Sequence, residues 1–224
     1  MVDVMLLPFL KNMDSIAYIQ AVVSIKNGKA FRNEELILQN SGDSDFGFFS
    51  KELYNFLGIS YSKFFKMDSL SKLAFLSAEI LLHNQELSQK EKTGIFMVNS
   101  SSSLDTDRKY FETMKNPGNY FPSPALFVYT LPNIMMGELS IRHKITGENA
   151  FFIFDEFEFG FVCDYVNLLF ELDKISSCLV GWVDVIGPEY ESILFNIQQT
   201  GSGSNEGNIF NAENLKKLYY GSNN

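Results

Sequence analysis

Long apolar runs are missing from this 224-residue sequence. No stretch approaches the roughly eighteen consecutive apolar residues that a transmembrane helix needs, so we expect no membrane insertion. The opening segment MVDVMLLPFLKNM has a short apolar core without the preceding basic region or the small-residue cleavage site of a secretory signal. The sequence therefore favours a cytoplasmic location.

Cysteine, histidine and basic residues are also scarce. The two cysteines, Cys163 and Cys178, are too few for a disulfide framework and lie in apolar patterns typical of buried thiols. The two histidines, His83 and His143, fall at predicted helix ends and are too few for a metal site. With a net charge of −9 and no basic stripe, nucleic acid and anionic membrane surfaces are excluded as partners.

Short motifs for cofactors or hydrolysis are absent as well. The acidic residues in 41–47 (SGDSDFG) do not match a calcium loop, because the glycine is misplaced and the twelfth position, Tyr54, is not a bidentate glutamate. The Gly201-Ser-Gly203 segment does not follow a strand, as a phosphate-binding loop would, and no G-x-S-x-G occurs. We predict neither a cofactor nor a metal.

What the sequence has is a globular composition, 46% hydrophobic and 20% charged, with 22 phenylalanines. This predicts a single domain over residues 1–224, with a partly flexible C-terminal extension at 198–224 that contains TGSGSNEGN.

Periodicity then predicts alternating strands and helices. Apolar runs predict strands at 16–25, 93–99, 150–154 and 177–184, and one further element at 190–197. Helical spacing and caps predict helices from 68 onward and at 105–114, 134–144, 157–172 and 212–219. Residues 126–133 (LFVYTLPN) are predicted to be extended. This alternation indicates an α/β fold with a mixed, largely parallel sheet covered by helices on both faces.

Two adjacent carboxylates, Asp155 and Glu156, stand where a predicted strand gives way to a helix. If the surrounding phenylalanines raised the pKa of one carboxyl, the pair could act in acid–base catalysis. Alternatively, both residues begin the helix and interact with its positive end. Both interpretations stay open on the sequence alone.

Several segments, in order, resemble the N-terminal half of β-ketoacyl-acyl carrier protein synthases, which have the thiolase fold. They are FFKMDSLSKLAFLSAEILL, TGIFMVNSSSS, LDTDRKYFETM, SPALFVYTLPN, GELSIRHKITGEN and CLVGWVD, and together they span about residues 16–184. The resemblance implies half of a thiolase-like fold.

In that family, a G-P-N turn precedes the catalytic cysteine, which is the ninth residue after the glycine. Here the turn is Gly147-Glu148-Asn149 and the ninth residue is Glu156, with Asp155 and Phe157 on either side. The family's two catalytic histidines lie in a second half, and this sequence ends soon after the first. The resemblance therefore implies no catalytic residues and a chain that is not an enzyme on its own.

One branch of the family, the chain-length factors, consists of catalytically silent subunits that pair with an active ketosynthase. Half-length versions accompany ketosynthases in aryl polyene and flexirubin-type pigment clusters, and this chain looks most like those. The resemblance implies a heterodimer with a full-length ketosynthase, with an acyl carrier protein docking mainly on that partner. The candidate interface or tunnel residues are Leu126, Phe127, Tyr129, Asn133, Phe152 and Phe154.

Two further hypotheses stay open. Asp155 or Glu156 could serve a carboxylate-dependent acyl-thioester decarboxylase or hydrolase, or the chain could be a homodimeric acyl-binding module. Because a single half of a two-half fold should leave an apolar face exposed, we expect a covering partner in any case.

Overall fold

The computed structural model describes residues 16–40, 45–83, 85, 87, 89–116, 118, 120–200 and 208–221. Eight strands form one sheet in these ranges: β1 (Ile16–Lys26), β2 (Lys29–Arg32), β3 (Glu35–Gln39), β4 (Thr93–Asn99), β5 (Asn149–Ile153), β6 (Ser177–Ile186), β7 (Glu189–Thr200) and β8 (Asn208–Ile209). Seven α-helices accompany them: α1 (Phe46–Phe56), α2 (Ser69–Leu81), α3 (Leu104–Glu112), α4 (Pro124–Val128), α5 (Ile134–His143), α6 (Phe159–Glu171) and α7 (Ala212–Gly221).

The strand order is β3-β2-β1-β7-β6-β4-β5, and β8 pairs with β1. β4 runs parallel to both β5 and β6, whereas β7 is antiparallel to its neighbours β6 and β1. The strands β1, β4, β5 and β6 thus point the same way, and the predicted mixed α/β fold is confirmed. The prediction of a largely parallel sheet needs correction when strand pairs are considered. β7 is antiparallel to both of its neighbours, and the β1-β2-β3 hairpins add antiparallel pairs, so only two strand pairs in the described ranges are parallel.

Helices cover both faces of the sheet, each over its own apolar core. α1, α2 and α5 pack on one face around Leu73, Leu76 and Leu194. α6 and α7 pack on the other around Val166, Phe195 and other residues of β6 and β7. Both cores are built from the predicted strands, which are buried on both sides as their apolar runs indicated.

α2 is the best predicted helix. Asp68 caps it by accepting a hydrogen bond from the Ser71 N–H (2.9 Å), and Thr106 donates its hydroxyl to the same carboxylate (2.8 Å). The sheet lies under one side of α2, and aromatic rings from the preceding segment cover the other: the Tyr54 and Phe64 ring centres are 4.5 Å apart, and those of Tyr61 and Phe75 are 5.4 Å apart.

A single half-fold was expected to leave an apolar face exposed. On the α2 side of the sheet, the chain covers its apolar face with its own elements, α1 and the 3₁₀ turn Ser62–Lys66. Asp45, considered above as a calcium ligand, caps α1 by accepting from the Phe48 N–H (2.8 Å), while residues 41–44 lie outside the described ranges. No helix in the described part of the chain is long and apolar enough to cross a bilayer.

The prediction that residues 126–133 are extended is wrong, because the segment consists of the end of a short helix followed by turns. Residues Pro124–Val128 form the short helix α4, because the Ser123 hydroxyl accepts from the Leu126 N–H (3.3 Å) and Pro124 occupies the first turn, where its missing N–H costs nothing. β7 extends to Thr200, and residues 201–207 of the predicted flexible extension lie outside the described ranges.

Candidate functional site at the carboxyl ends of the parallel strands

Ligands of open α/β sheets bind beyond the carboxyl ends of the strands. At the edge where β4, β5 and β6 end, Asn99, the last residue of β4, is fully buried and connects the segments that follow β4 and β5. Its side chain accepts from the Ser102 N–H (2.9 Å) and donates to the Ser102 carbonyl (3.0 Å), while its own carbonyl accepts from the Phe154 N–H just after β5 (3.0 Å). The asparagine thus ties the loop after β4 to the end of β5.

The serine-rich loop after β4 is held from the other side by Asp184 of β6. This carboxylate accepts from the Ser100 hydroxyl (3.0 Å) and from both the backbone N–H and the hydroxyl of Ser101 (3.1 Å each). Ser102 has a left-handed backbone, with φ of 50°, that the two Asn99 hydrogen bonds maintain. These hydrogen bonds hold the serine-rich loop in one conformation beside the carboxyl ends of β4 and β6.

Neither Asn99 nor Asp184 was among the predicted site residues. A signal existed for both, because each is the polar residue that ends a predicted apolar strand, 93–99 or 177–184.

Asp155 and Glu156 lie at a bend between β5 and α6, and both are exposed. Neither carboxylate has a hydrogen bond or ion pair within the described part of the chain. α6 begins at Phe159 with Glu158 as its N-cap, two residues later than predicted, so Asp155 and Glu156 precede the helix instead of forming its first turn. The acid–base hypothesis requires apolar side chains to enclose one carboxylate, and neither exposed carboxylate is enclosed in this way.

The residue after them, Phe157, is buried, and the C-terminal helix covers it. The ring of Tyr219 in α7 stacks on Phe157 with centres 5.5 Å apart and meets Phe159 edge-on at 5.4 Å. Burial, and secondarily the negative charges of Glu191, Asp184 and Glu156 and the neighbouring Tyr220, raise the pKa of the Tyr219 phenol. No sequence pattern indicated this contact between residues so far apart.

The two thiols lie away from this bend. Cys163 is on the buried side of α6, where burial raises the pKa of its thiol to about 12, and Cys178 is fully buried in β6, where burial raises its thiol pKa further. Both thiols are thus held in the protonated, unreactive form at neutral pH.

Four of the predicted interface residues lie in α4 and the turns after it, residues 124–133, which we call the α4 segment, and they divide into two groups. Phe127 is 55% exposed and packs its ring 5.6 Å from Tyr110 of α3, Asn133 is also exposed, and Leu126 is half-buried. The Ser103 hydroxyl donates to the Thr130 carbonyl (2.7 Å), which anchors this segment to the loop after β4.

Tyr129, the remaining predicted residue of this segment, differs from the others in its burial. It is buried in the chain's own core, and its hydroxyl donates to Glu138 Oε1 (3.1 Å). Glu138 is itself only 4% exposed, and Lys63 Nζ lies 2.7 Å from its other carboxylate oxygen. This contact is an ion pair whose angles are not those of a hydrogen bond. Burial and the Glu138 carboxylate raise the pKa of the Tyr129 phenol. The hydroxyl needs a buried acceptor, which keeps the side chain turned inward.

β5 forms one edge of the sheet. Ile95 N donates to the Glu148 carbonyl and Phe154 N donates to the Asn99 carbonyl, so the even-numbered residues of this strand face β4. The backbone groups of Asn149, Phe151 and Ile153 therefore point away from the sheet. Phe152 and Phe154 pack under Phe161 of α6, with ring centres 4.9 and 5.1 Å away, so the open part of β5 is its backbone and the 54% exposed Ile153.

A second polar cluster lies at the amino ends of the same strands. Arg142 forms a two-pronged ion pair with Glu79, at 2.7 and 2.9 Å, and lies over the ring of Tyr61. His143 lies near a helix end, as predicted, and is the last residue of α5, 3.4 Å from Glu79. Burial lowers the pKa of His143, and the nearby Arg142 and Lys90 lower it further against the opposing effect of Glu79.

Comparison with known proteins finds similar solved structures but no match to a protein family or to a curated protein sequence. Solved structures do match: 84% of this chain superposes on 63% of a chain of "The ishigamide ketosynthase/chain length factor", with a TM-score of 0.62 and 13% identity.

Two further structures agree with this match. One contains the ketosynthase ApeO in complex with its chain length factor ApeC from Xenorhabdus doucetiae (84% of this chain, 80% of that chain, TM-score 0.53, 13% identity). The other is AntDE:AntF, a type II PKS acyl-carrier protein in complex with its ketosynthase (83%, 62%, 0.57, 10%). The thiolase-like fold implied by the resemblance is confirmed. The chain spans less than two thirds of the length of the first and third of these chains.

Proposed function

We propose that this chain is a non-catalytic subunit, similar to a chain-length factor, that pairs with a β-ketoacyl synthase and forms part of the wall of its acyl tunnel. The observation that carries the proposal is the open edge of β5 beside the bend that holds Asp155 and Glu156. A ketosynthase-type fold offers this strand edge, and here the nucleophile position next to it holds an exposed carboxylate.

The geometry of the bend supports a non-catalytic role. A covalent acyl intermediate needs a thiolate at the turn, and the residues there are Asp155, Glu156 and Phe157. The two thiols of the chain are buried elsewhere with raised pKa values. Tyr219 stacks on Phe157 and fills space beside the bend with aromatic rings. A thioester meets no thiolate at this position.

The edge of β5 supports pairing. The outward backbone groups of Asn149, Phe151 and Ile153 can accept an added strand, and an unpaired edge of this kind favours strand addition. Continuing the sheet through a partner would satisfy these groups and bury Ile153.

The α4 segment supports a role in lining a tunnel. Phe127, Val128 and Leu131 are all exposed, and Ser103 holds the segment in place at the carboxyl end of β4. Exposed apolar residues on an anchored segment are typical of a binding surface. The chain's resemblance to half-length subunits of pigment clusters makes a polyene the expected tunnel occupant, in a cytoplasmic assembly. The net charge of −9 directs an acidic carrier protein to the partner subunit.

Co-purification with the ketosynthase encoded nearest in the same genome tests the proposal. We expect a 1:1 complex and a ketosynthase that is more soluble or more active with this chain than alone. Ile153→Pro, which removes an outward N–H from the edge, should weaken the complex at least about tenfold, or about 1.4 kcal/mol. Ile153→Thr keeps that N–H and serves as the matched control.

A ketosynthase that is equally soluble and active alone, and never binds this chain, would refute the proposal. Loss of carrier-bound malonate catalysed by the isolated chain and abolished by Glu156→Ala would favour the carboxylate enzyme instead. A stable homodimer with bound lipid in native mass spectrometry would favour the acyl-binding module.

A further inference from the structure

The outer side of α6 carries an apolar stripe that the chain leaves open. Phe161, Leu168 and Leu172 are 42%, 50% and 45% exposed, and Tyr165 between them is half-buried. Residues at i, i+4, i+7 and i+11 lie on one side of a helix, so the four side chains form a continuous line about three turns long, running just past the end of α6. Here, unlike on the α2 side of the sheet, no element in the described part of the chain covers these side chains.

The stripe is continuous with the open edge of β5. Phe161 contacts both Phe152 and Phe154, and Tyr165 meets Phe152 edge-on with ring centres 5.1 Å apart. A partner strand added to β5 would therefore bring the next element of that partner over α6. We call the outer side of α6, from Phe161 to Leu172, the α6 face.

Acidic residues flank the α6 face. Asp164 and Glu171 are exposed, lie seven positions apart along one flank of the stripe, and have no ion-pair partner within the described ranges. Glu148 reaches the same region, since its charge adds to the effect of burial in raising the pKa of Tyr165. Asp155 and Glu156 lie at the amino end of the helix.

Basic residues near this face are few. Lys92 is paired with Asp173 at 2.6 Å, and Lys174 is exposed just beyond the carboxyl end of α6. α6 itself contains no basic residue. The rim of the stripe is thus acidic over most of its length.

We propose that the α6 face binds an amphipathic helix of the partner subunit whose apolar side is flanked by lysine or arginine, and that it does not bind a second copy of this chain. The inference deepens the proposed function and rests on it for the identity of the partner as a ketosynthase.

Charge complementarity decides between the two occupants. In a twofold pairing, the same patch of both chains meets, so Asp164 and Glu171 of each copy would face the identical carboxylates. Like charges brought together at an interface are unfavourable, and the net charge of −9 adds to the repulsion. A helix with a basic flank gains from the same carboxylates.

Two synthetic helical peptides test the face directly. Both carry leucine at i, i+4, i+7 and i+11, and one has lysine and the other glutamate at the flanking positions. By fluorescence anisotropy, the lysine peptide should bind at least about tenfold more tightly than the glutamate peptide, and its affinity should fall as salt is raised.

Three variants locate the binding. The double change Asp164→Lys and Glu171→Lys should reverse the preference between the peptides, and Leu168→Glu should weaken both. Glu35→Lys, an exposed charge reversal on β3 at the opposite edge of the sheet, is the matched control and should leave the preference unchanged. All the altered side chains are exposed, and circular dichroism verifies that each variant is folded.

Equal binding of the two peptides, or binding of neither, would overturn the inference. So would a stable homodimer of the wild-type chain in sedimentation that Leu168→Glu dissociates. A ketosynthase complex that forms equally well with the double variant overturns this inference and leaves the proposed function intact. If the chain binds the lysine peptide selectively but binds no ketosynthase, the proposed function is refuted. The α6 face then binds a basic helix of a different partner.

Discussion

Replacing Tyr129 with phenylalanine removes one hydroxyl and leaves the aromatic ring in place. The hydroxyl donates to Glu138 Oε1 at 3.1 Å, and the carboxylate is 4% exposed, so water cannot readily replace the lost donor. The substitution therefore tests whether Tyr129 belongs to the core, where the structure places it, or to an interface, where its sequence neighbourhood suggested it would lie.

The magnitude follows from the charge of the acceptor. A hydrogen bond to a charged group contributes about 1.5–3 kcal/mol to the free energy of unfolding. Lys63, 42% exposed, still lies against the other oxygen of Glu138 and limits the loss, so we expect about 1.5–2 kcal/mol. For a domain of this length, that corresponds to a decrease in Tm of roughly 3–8 °C.

Urea unfolding and thermal unfolding measure the effect. Tyr110→Phe is the matched control, because the ring of Tyr110 packs on Phe127 and its hydroxyl has no hydrogen-bond partner among the described residues. The Tm of this variant should stay within about 1–2 °C of the wild type. Partner binding should be unchanged by Tyr129→Phe. A variant with wild-type stability and weakened partner binding would refute the core assignment.

Three other predictions concern the backbone, pH and the thiols. Gly181→Ala should prevent folding at 37 °C, seen as loss of soluble protein, because its Cβ would lie 2.0 Å from the Ile193 carbonyl oxygen. Because the pKa of buried His143 is lowered, the unfolded chain binds more protons as pH falls below about 6.5, so stability should drop there in urea titrations, and His143→Gln should reduce that drop. Burial raises the thiol pKa of Cys163 and of Cys178, so iodoacetamide should modify neither in the native protein at neutral pH and both in denaturant; rapid native labelling would contradict this.

The sequence predicts well those elements whose signals are local. α2 follows its Asp68 cap, and β4 and β6 follow uninterrupted apolar runs, so their positions were predicted to within two residues. α4 was missed because the helix cap formed by Ser123 and Pro124 was not recognised. β2 and β3 were missed because they depend on strand pairing, β2 with β1 and β3 with β2.

The candidate site was predictable in location more than in content. The bend at Asp155 and Glu156 was found, since a strand-to-helix transition is visible in the sequence. The stacking of Tyr219 on Phe157 and the inward turn of Tyr129 toward Glu138 were not, because each depends on tertiary packing. Long-range packing of this kind has no periodic signature in the sequence.

The pairing of β1 with β7 has a consequence for how the protein is made. The two strands are joined along almost their whole length, and the bond from Lys26 to Glu191 spans 165 positions. At about 5–20 residues per second, a ribosome needs roughly 10–30 s to synthesise the intervening chain. During that time, the apolar residues of β1 have only the short hairpin with β2 to pair with. We therefore expect the nascent chain to depend on chaperones and to fold slowly, as proteins dominated by non-local contacts do.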